Sequence, residues 1–303
     1  MHWSTARFVI DLSQPRVMGI VNVTPDSFFD GGMYGSTHAA MAHCDALAAA
    51  GADLLDIGGE STRPGAAAPV LEEELARVLP VLRHAVTLGL PVSVDTSRPE
   101  LIRAALDLGV DIVNDVRALQ RPGAMDCVAR HPRAGVCLMH MQGEPGTMQA
   151  APVYADVVAE VLDFLRRRVA AAKAAGIAAE RIVVDPGIGF AKSVAHNVEL
   201  LARQQELQVL GHPILVGWSR KSTLGTITGR PVGERLAASL AAALAAVQRG
   251  ATVLRVHDVA ATVDALKVWR CADRGGVSEA GLTGTTCHGS WPQPLARAAD
   301  NRG

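Results

Sequence analysis

The sequence predicts one α/β domain in which eight parallel strands alternate with helices and close into a (β/α)8 barrel, with long loops after the first and second strands. Short β-branched apolar runs recur at residues 17–23, 54–57, 92–94, 111–113, 135–139, 182–184, 214–216 and 253–256. They lack the apolar–polar alternation of half-exposed strands, as expected of strands buried on both faces. Helical patterns lie between them and nothing like an interdomain linker interrupts the repeat. An open doubly wound sheet uses the same alternation and stands as the structural alternative.

Two of the intervening helices have legible faces. Val158, Val161, Leu162, Leu165 and Val169 form one stripe, which stops before Gly176, a natural residue just past a helix end. Leu236, Leu240, Leu244 and Val247 form another, which stops before Gly250. With 49% hydrophobic residues in a chain of 303, one continuous core is well supplied. The barrel is expected over residues 1–275. Beyond it the composition turns to Gly, Thr, Ser and Pro, so 276–303 reads as a flexible tail.

Composition also excludes several classes of function. The 29 basic and 30 acidic residues nearly cancel, which argues against nucleic acid or anionic lipid as the main partner. Any anion site is then local, made by a few placed side chains and backbone amides. The five cysteines are odd in number and show no Cys-x-x-Cys spacing, so neither a disulfide framework nor a zinc site is expected. The first residues lack the basic head and long apolar run of a signal peptide, and the longest apolar stretch, 236–247, is too short to span a bilayer. A cytoplasmic protein is expected.

The functional signal lies in the polar residues at the end of each apolar run. The first run ends in Asn22, the second holds Asp56, and the third leads to Asp95-Thr96. The fourth leads to Asn114-Asp115, the fifth to Met139-His140, and the sixth to Asp185-Pro186-Gly187. The seventh precedes Ser219-Arg220-Lys221-Ser222, and the eighth carries Arg255 and His257. In a parallel barrel these ends converge on one mouth, where catalytic residues sit. Asp258 before the last helix reads as a helix cap, and Ser222 as either a cap or a substrate contact. Several of the others precede Pro or Gly loops rather than helices, so capping does not explain the set.

The loops after the first two runs are unusual. Residues 22–35 include Phe28, Phe29, Met33 and Tyr34, and Gly31, Gly32, Gly58, Gly59 and Gly65 punctuate both loops. They read as water-excluding lids or as loops packed on the barrel rim. Lysine is scarce, and Lys192 reads as a solvated loop charge. Lys221, between Arg220 and Ser222 at a strand end, reads as functional. Arg255 and His257 precede the last helix, where free amides and the helix dipole favour an anion, and the loops after strands seven and eight are this fold's usual phosphate site. His257 as a packed core histidine is the competing reading. No His/Asp/Glu set has tight metal-ligand spacing, so a metal would be magnesium held through substrate phosphate.

At this point the residues resemble a known family. Met18-Gly19-Ile20-Val21-Asn22-Val23-Thr24-Pro25-Asp26-Ser27-Phe28 and Asp56-Ile57-Gly58-Gly59-Glu60-Ser61-Thr62-Arg63-Pro64-Gly65 are similar to the two signatures of the bacterial dihydropteroate synthase family, pterin-binding TIM barrels. The match continues through Val94-Asp95-Thr96, Asn114-Asp115-Val116, Leu138-Met139-His140-Met141, Asp185-Pro186-Gly187-Ile188-Gly189-Phe190, Ser219-Arg220-Lys221-Ser222 and Arg255-Val256-His257. It runs from Val17 to the last helix.

The resemblance implies a folate-pathway transferase that joins 6-hydroxymethyl-7,8-dihydropterin pyrophosphate to p-aminobenzoate, releases pyrophosphate, and is the target of sulfonamides. Asp95, Asn114, Met139, Asp185 and Lys221 would line the pterin pocket. Asn22, Thr62, Arg63, Arg255 and His257 would hold pyrophosphate, with Mg2+ bridging Asn22 to phosphate oxygens. Thr62, Arg63, Pro64, Phe190, Lys221 and Ser222 would form the p-aminobenzoate site. Asp95, Lys221, Arg255 and His257 would be the catalytic groups, and a homodimer is implied. Ala191 and Ser193 depart from the Gly and Thr common in the family, and the bulk of Trp218 beside Ser219 is expected to bear on sulfonamide affinity. A corrinoid-dependent methyltransferase sharing the pterin barrel, and a catalytically silent pterin-binding relative, are the competing functions.

Overall fold

The structure is a computed structural model that describes residues 1–23, 32–60, 69–143 and 152–273. Its centre is a closed barrel of eight parallel strands: β3 (Arg16–Asn22), β4 (Leu54–Gly58), β5 (Val92–Asp95), β6 (Ile112–Asp115), β7 (Gly135–Met139), β8 (Ile182–Asp185), β9 (Ile214–Val216) and β10 (Ala251–Val256). Strand β10 pairs with β3 on one side and β9 on the other, so the sheet has no edge and the doubly wound alternative is excluded. Several strands run one or two residues past the apolar runs, because Gly58, Asp95, Asn114, Asp115 and Asp185 continue the ladder.

Around the barrel lie α1 (Gly32–Ala49), α2 (Leu71–Val86), α3 (Pro99–Asp107), α4 (Ala124–Arg130), α5 (Val157–Ala174), α6 (Val194–Ala202), α7 (Ser222–Thr228), α8 (Leu236–Gln248) and α9 (Val259–Asp273). Helix α5 buries Val158, Val161, Leu165 and Val169 as expected, and its N-terminus is capped by the Asp156 carboxylate. Helix α8 differs from expectation. Its buried face is Ser239, Ala242, Ala243, Ala246 and Val247, while Leu236 is exposed and Leu240 and Leu244 are only half-buried. Small side chains let α8 lie close against its neighbours β10 and α9, so the leucines rotate outward. Helix α1 already begins at Gly32, so 32–35 belong to a helix rather than to the preceding loop.

One element is not legible in the apolar runs. Strands β1 (His2–Ser4) and β2 (Val9–Asp11) form an antiparallel hairpin that plugs the N-terminal end of the barrel. Trp3, Phe8, Ile10 and Leu12 pack onto Met18, Leu54, Ile112, Cys137, Val183, Leu215 and Val253, the inward residues of the strands at that end. The Trp3 indole N–H donates to the Arg181 carbonyl (2.9 Å), and the Arg7 guanidinium holds the fully buried Asp111 carboxylate (2.6 Å). Gly135 is needed here, because a Cβ at that position would lie 2.9 Å from the Trp3 ring nitrogen.

Among the described residues, Cys44, Cys127, Cys137 and Cys271 are free, and no helix is long and apolar enough to cross a membrane. The expected tail, 276–303, lies outside the described residues. Truncation of the plug, Trp3→Ala, is expected to destabilise the protein by about 3–5 kcal/mol, read as a shift in the guanidinium unfolding midpoint. Activity per folded molecule is expected to hold, since Trp3 closes the end of the barrel away from the polar strand ends.

Candidate active site

The strand period of two builds the site directly on the plug. Inward side chains at the lower level include Leu54, Ile112, Cys137, Val183 and Val253. Two residues further along the same strands, the same direction carries Asp56, Asn114, Met139, Asp185 and Arg255. A polar layer therefore sits above an apolar one, at the C-terminal ends of the strands.

Arg255 ties this layer together across the barrel. Its Nε donates to Asp56 Oδ2 (2.6 Å) and its Nη2 to Asp95 Oδ2 (2.7 Å). The Asn114 amide donates to the same Asp56 oxygen (3.0 Å). Burial opposes the guanidinium charge, but Asp56 and Asp95 outweigh it and keep Arg255 firmly cationic. Asp95 is raised, chiefly by burial, with Arg255 pulling the other way and the Asp56 carboxylate adding to the rise. Asp56 is fully buried, and its Oδ1 has no partner among the described residues. The strand-end pattern counts it in the converging set and the resemblance includes it in a signature, but neither gives it a specific partner or ligand. The signal for it is nonetheless in the chain, since Asp56 comes one strand period after Leu54.

On the other side of the layer stand Asp185 and Lys221. Burial pushes Asp185 up to about 6 against the Gly187 N–H, which donates to its Oδ1 at 2.7 Å, and against Lys221, Arg255 and Lys192. Burial pulls Lys221 down to about 8, helped by Arg255 and opposed by Asp185 and Asp95. Lys221, Asp185 and Arg255 thus share one electrostatic neighbourhood. The Lys221 ammonium also lies over the Phe190 ring, 4.3 Å from its centroid. Phe190 packs against a small cluster of Met139, Met141, Val116 and Ala191, so the pterin and p-aminobenzoate residues expected from β7 and from the loop after β8 meet at one wall.

His257 is not a packed core histidine. It is part-buried at the start of the last helix, and its Nδ1 lies 3.0 Å from Ser219 Oγ. Ser219 Oγ also accepts from the His257 backbone N–H (3.1 Å), and the tautomer in which Ser219 donates its hydroxyl proton to Nδ1 carries the ring proton on Nε2. Burial, with Arg220 and Arg255 nearby, lowers His257 to about 4, so near neutral pH it offers an uncharged N–H.

Asp258 stands directly before α9, where its carbonyl accepts the Thr262 N–H (3.1 Å), and its carboxylate also engages Arg220 (2.5 Å). Other expectations are corrected. Ser222 is the exposed first residue of α7, and Lys221 occupies the cap position, so the capping reading of Ser222 fails. Trp218 is turned into the core, nearly fully buried, rather than beside the mouth. Lys192 is not solvated: it is buried, and its ammonium contacts His140 Nδ1 and the Gly187 and Phe190 carbonyls. Ala191 has φ +50°, the left-handed region, which accounts for the glycine common at that position. Ser193 caps α6 through its hydroxyl, as threonine would.

Asn22 ends β3 in register with Gly58, part-buried at the mouth. Thr62, Arg63 and Pro64, and the loop residues Phe28 and Phe29, lie outside the described residues. Among the described residues no group of three or more His, Cys, Asp or Glu side chains could hold a metal ion.

Comparison with known proteins agrees with this geometry. A family model described as "Pterin binding enzyme" matches residues 18–257. Dihydropteroate synthase of Neisseria meningitidis serogroup B is 53% identical over 273 residues, covering 88% of this chain and 96% of the relative. The solved dihydropteroate synthase of Xanthomonas albilineans with 4-aminobenzoic acid superposes with a TM-score of 0.83 at 54% identity, covering 89% of this chain and 98% of that one. The Burkholderia cenocepacia dihydropteroate synthase complexed with 7,8-dihydropteroate gives 0.83 at 49% identity, covering 90% and 96%. Spanning nearly all of these relatives and carrying their barrel, the chain belongs to the dihydropteroate synthase family of pterin-binding enzymes.

Proposed function

We propose that this barrel mouth condenses 6-hydroxymethyl-7,8-dihydropterin pyrophosphate with p-aminobenzoate, giving 7,8-dihydropteroate and pyrophosphate. The observation that carries the reading is the polar layer itself: Asp56, Asp95, Asn114, Asp185, Lys221 and Arg255 converge on one buried floor in a chain of this family. Such a floor suits a flat heterocycle rich in N–H donors, and family membership favours condensation over corrinoid-dependent methyl transfer.

The division of labour comes from the charges. Asp185, with the amide of Asn114, accepts from the amino and ring N–H groups of the pterin, and Met139 packs on its face. Lys221 donates to the acceptor side of the same ring. Arg255 has Nη1 without a partner among the described residues, and with the neutral Nε2–H of His257 and the amides opening α9 it takes the leaving pyrophosphate. Thr62 and Arg63 complete that anion site, and with Pro64, Phe190, Lys221 and Ser222 they hold p-aminobenzoate, for which sulfonamides compete.

Asn22 offers one hard oxygen at the mouth, and the described residues lack a carboxylate cage. That donor set fits a Mg2+ ion that takes most of its ligands from phosphate and water. Bound there, it would neutralise charge on the departing pyrophosphate. As the pterin carbon loses its leaving group, positive charge spreads over the ring, and the ionised form of Asp95, disfavoured by burial in the free site, becomes favoured beside it. The p-aminobenzoate nitrogen then closes the C–N bond, with no covalent enzyme intermediate. Positional-isotope scrambling of the pyrophosphate oxygens without the amine is the result expected of this ionisation-first order.

A pyrophosphate-release assay tests the whole reading. Turnover is expected only with both substrates and Mg2+. Lys221→Ala and Asp185→Asn are each expected to lower kcat/KM by about 100-fold or more, and Asp56→Asn by about tenfold through loss of the Arg255 clamp. A well-folded protein that binds neither pterin nor its pyrophosphate would refute the assignment.

The pH profile has a stated direction. Asp185 binds the pterin as a carboxylate, so kcat/KM for the pterin substrate is expected to fall as pH drops through about 6. Lys221 acts as a cation, so it is expected to fall again as pH rises through about 8. In Lys221→Met the alkaline limb should disappear, while the acid limb persists and moves to higher pH because Asp185 loses the nearby ammonium.

A homodimer in the cytoplasm completes the reading. Leu236, Leu240 and Leu244, left outside the buried face of α8, support an apolar contact between copies. Light scattering is expected to show a dimer for the native chain and a shift toward monomer for Leu236→Asp.

A further inference from the structure

Lys192 is the buried charge that the mechanism above does not use. It stands 3% exposed beneath the turn after β8. Its Nζ lies 2.9 Å from His140 Nδ1, 3.0 Å from the Gly187 carbonyl oxygen and 2.9 Å from the Phe190 carbonyl oxygen, with the His140 carbonyl further off at 3.5 Å. Three short acceptors match the three protons of an ammonium. His140 can serve as one of them because burial and Lys192 itself hold its ring neutral, down to about 2. Burial pulls the ammonium down to about 7, with Asp185 opposing, and the charge it keeps is spent inside the protein on two strand ends.

What the ammonium holds is the wall of the p-aminobenzoate site. The turn closes through the Phe190 N–H on the Gly187 carbonyl (3.1 Å), and Lys192 grips the carbonyls at both ends of that turn. Gly187, with φ +70°, presses so closely on the His140 carbonyl that a Cβ there would overlap it. Further fixings surround the turn: the Gly189 N–H donates to Asn197 Oδ1 (2.8 Å), Asn197 donates to Thr223 Oγ1 (2.9 Å), and the Tyr154 hydroxyl donates to the Ala191 carbonyl (2.9 Å). Thr223 stands two residues after Lys221. The product of these contacts is a fixed Phe190 ring beneath the Lys221 ammonium.

We propose that Lys192 and His140 form a positioning device that sets Phe190 and, through its ring, Lys221, and so governs the affinity for the p-aminobenzoate substrate. The proposed function gives neither side chain a substrate contact. The proposal rests on the reading of this mouth as a dihydropteroate synthase site. Removing the ammonium leaves the Gly187 and Phe190 carbonyls buried without their donor, so the turn re-forms around water and Phe190 moves away from Lys221. The Arg255 clamp keeps Asp56, Asp95 and Asn114 in place, and the pterin floor meets the turn only through the Gly187 N–H on Asp185 and the nearby Lys192 charge, so the pterin side responds less.

The test is a KM split in steady-state assays. Lys192→Met is expected to raise KM for p-aminobenzoate by about tenfold or more, while KM for the dihydropterin pyrophosphate changes by less than about threefold. His140→Ala, which removes one acceptor and keeps the ammonium, is expected to show the same split at about a third of the size, and it serves if Lys192→Met does not fold. Lys192→Arg is expected to rescue little, because a planar fork cannot reach three acceptors arranged as a tripod. Equal changes in both KM values, or a loss of kcat tracking a lower melting temperature, would overturn the proposal, as would unchanged kinetics. An inactive native protein would instead overturn the functional reading on which it rests.

Discussion

One cation reaching across the barrel decides how the mouth is built. Arg255 is carried by β10 and ion-pairs with carboxylates on β4 and β5, three strands that closure of the barrel brings around a single opening. Both acids and the guanidinium are largely out of water, where an unpaired charge would cost several kcal/mol. Removing any one of the three leaves its partners stranded, so the clamp fixes the relative height of three strand ends. Asn114 joins it from β6 through the same Asp56 oxygen, which leaves Oδ1 as a buried acceptor facing the layer. A buried acceptor without a donor is tolerable where a ligand supplies the N–H.

That polar layer is possible because the apolar layer beneath it is sealed. In a parallel barrel the residues of one inward level alternate with outward ones, so the sequence switches from Leu54 to Asp56, Ile112 to Asn114, Val183 to Asp185 and Val253 to Arg255 within one period. Trp3, Phe8, Ile10 and Leu12 then close the bottom with side chains from outside the strand–helix repeat. Water is excluded from below by packing, which raises the energetic weight of each charge above.

These two layers also mark how much the chain discloses by itself. The barrel is legible because eight apolar runs recur with helices between them, and the site because polar residues come at the ends of those runs. The hairpin is not, since 2–4 and 9–11 are too short to stand out as strands and gain their identity only by packing on the barrel. The face of α8 is hidden for a related reason: leucine spacing suggests the stripe, but alanine is what close packing against β10 and α9 selects. Lys192 looks like a solvated charge because nothing local reveals that Ala191 turns the chain so that the ammonium faces three acceptors from two strand ends. Asp56 gains its role only from partners 58 and 199 residues away.

The charges are sorted along the mouth in a way that matches a substrate with two unlike ends. Carboxylates dominate the floor, and their ionised forms are strained by burial, as Asp185 at about 6 and the raised Asp95 record. A ring bearing several N–H groups relieves that strain without bringing a full charge of its own. Among the described residues the rim donors are Arg255, already paired with two carboxylates, the neutral His257 and the start of α9. A site that bound pyrophosphate through many free cations would hold the product as tightly as the substrate. In the proposed function the clamped guanidinium, the uncharged imidazole and backbone amides would share the departing anion with Arg63 and a Mg2+ that leaves with it, so stabilising the anion would not also trap the product.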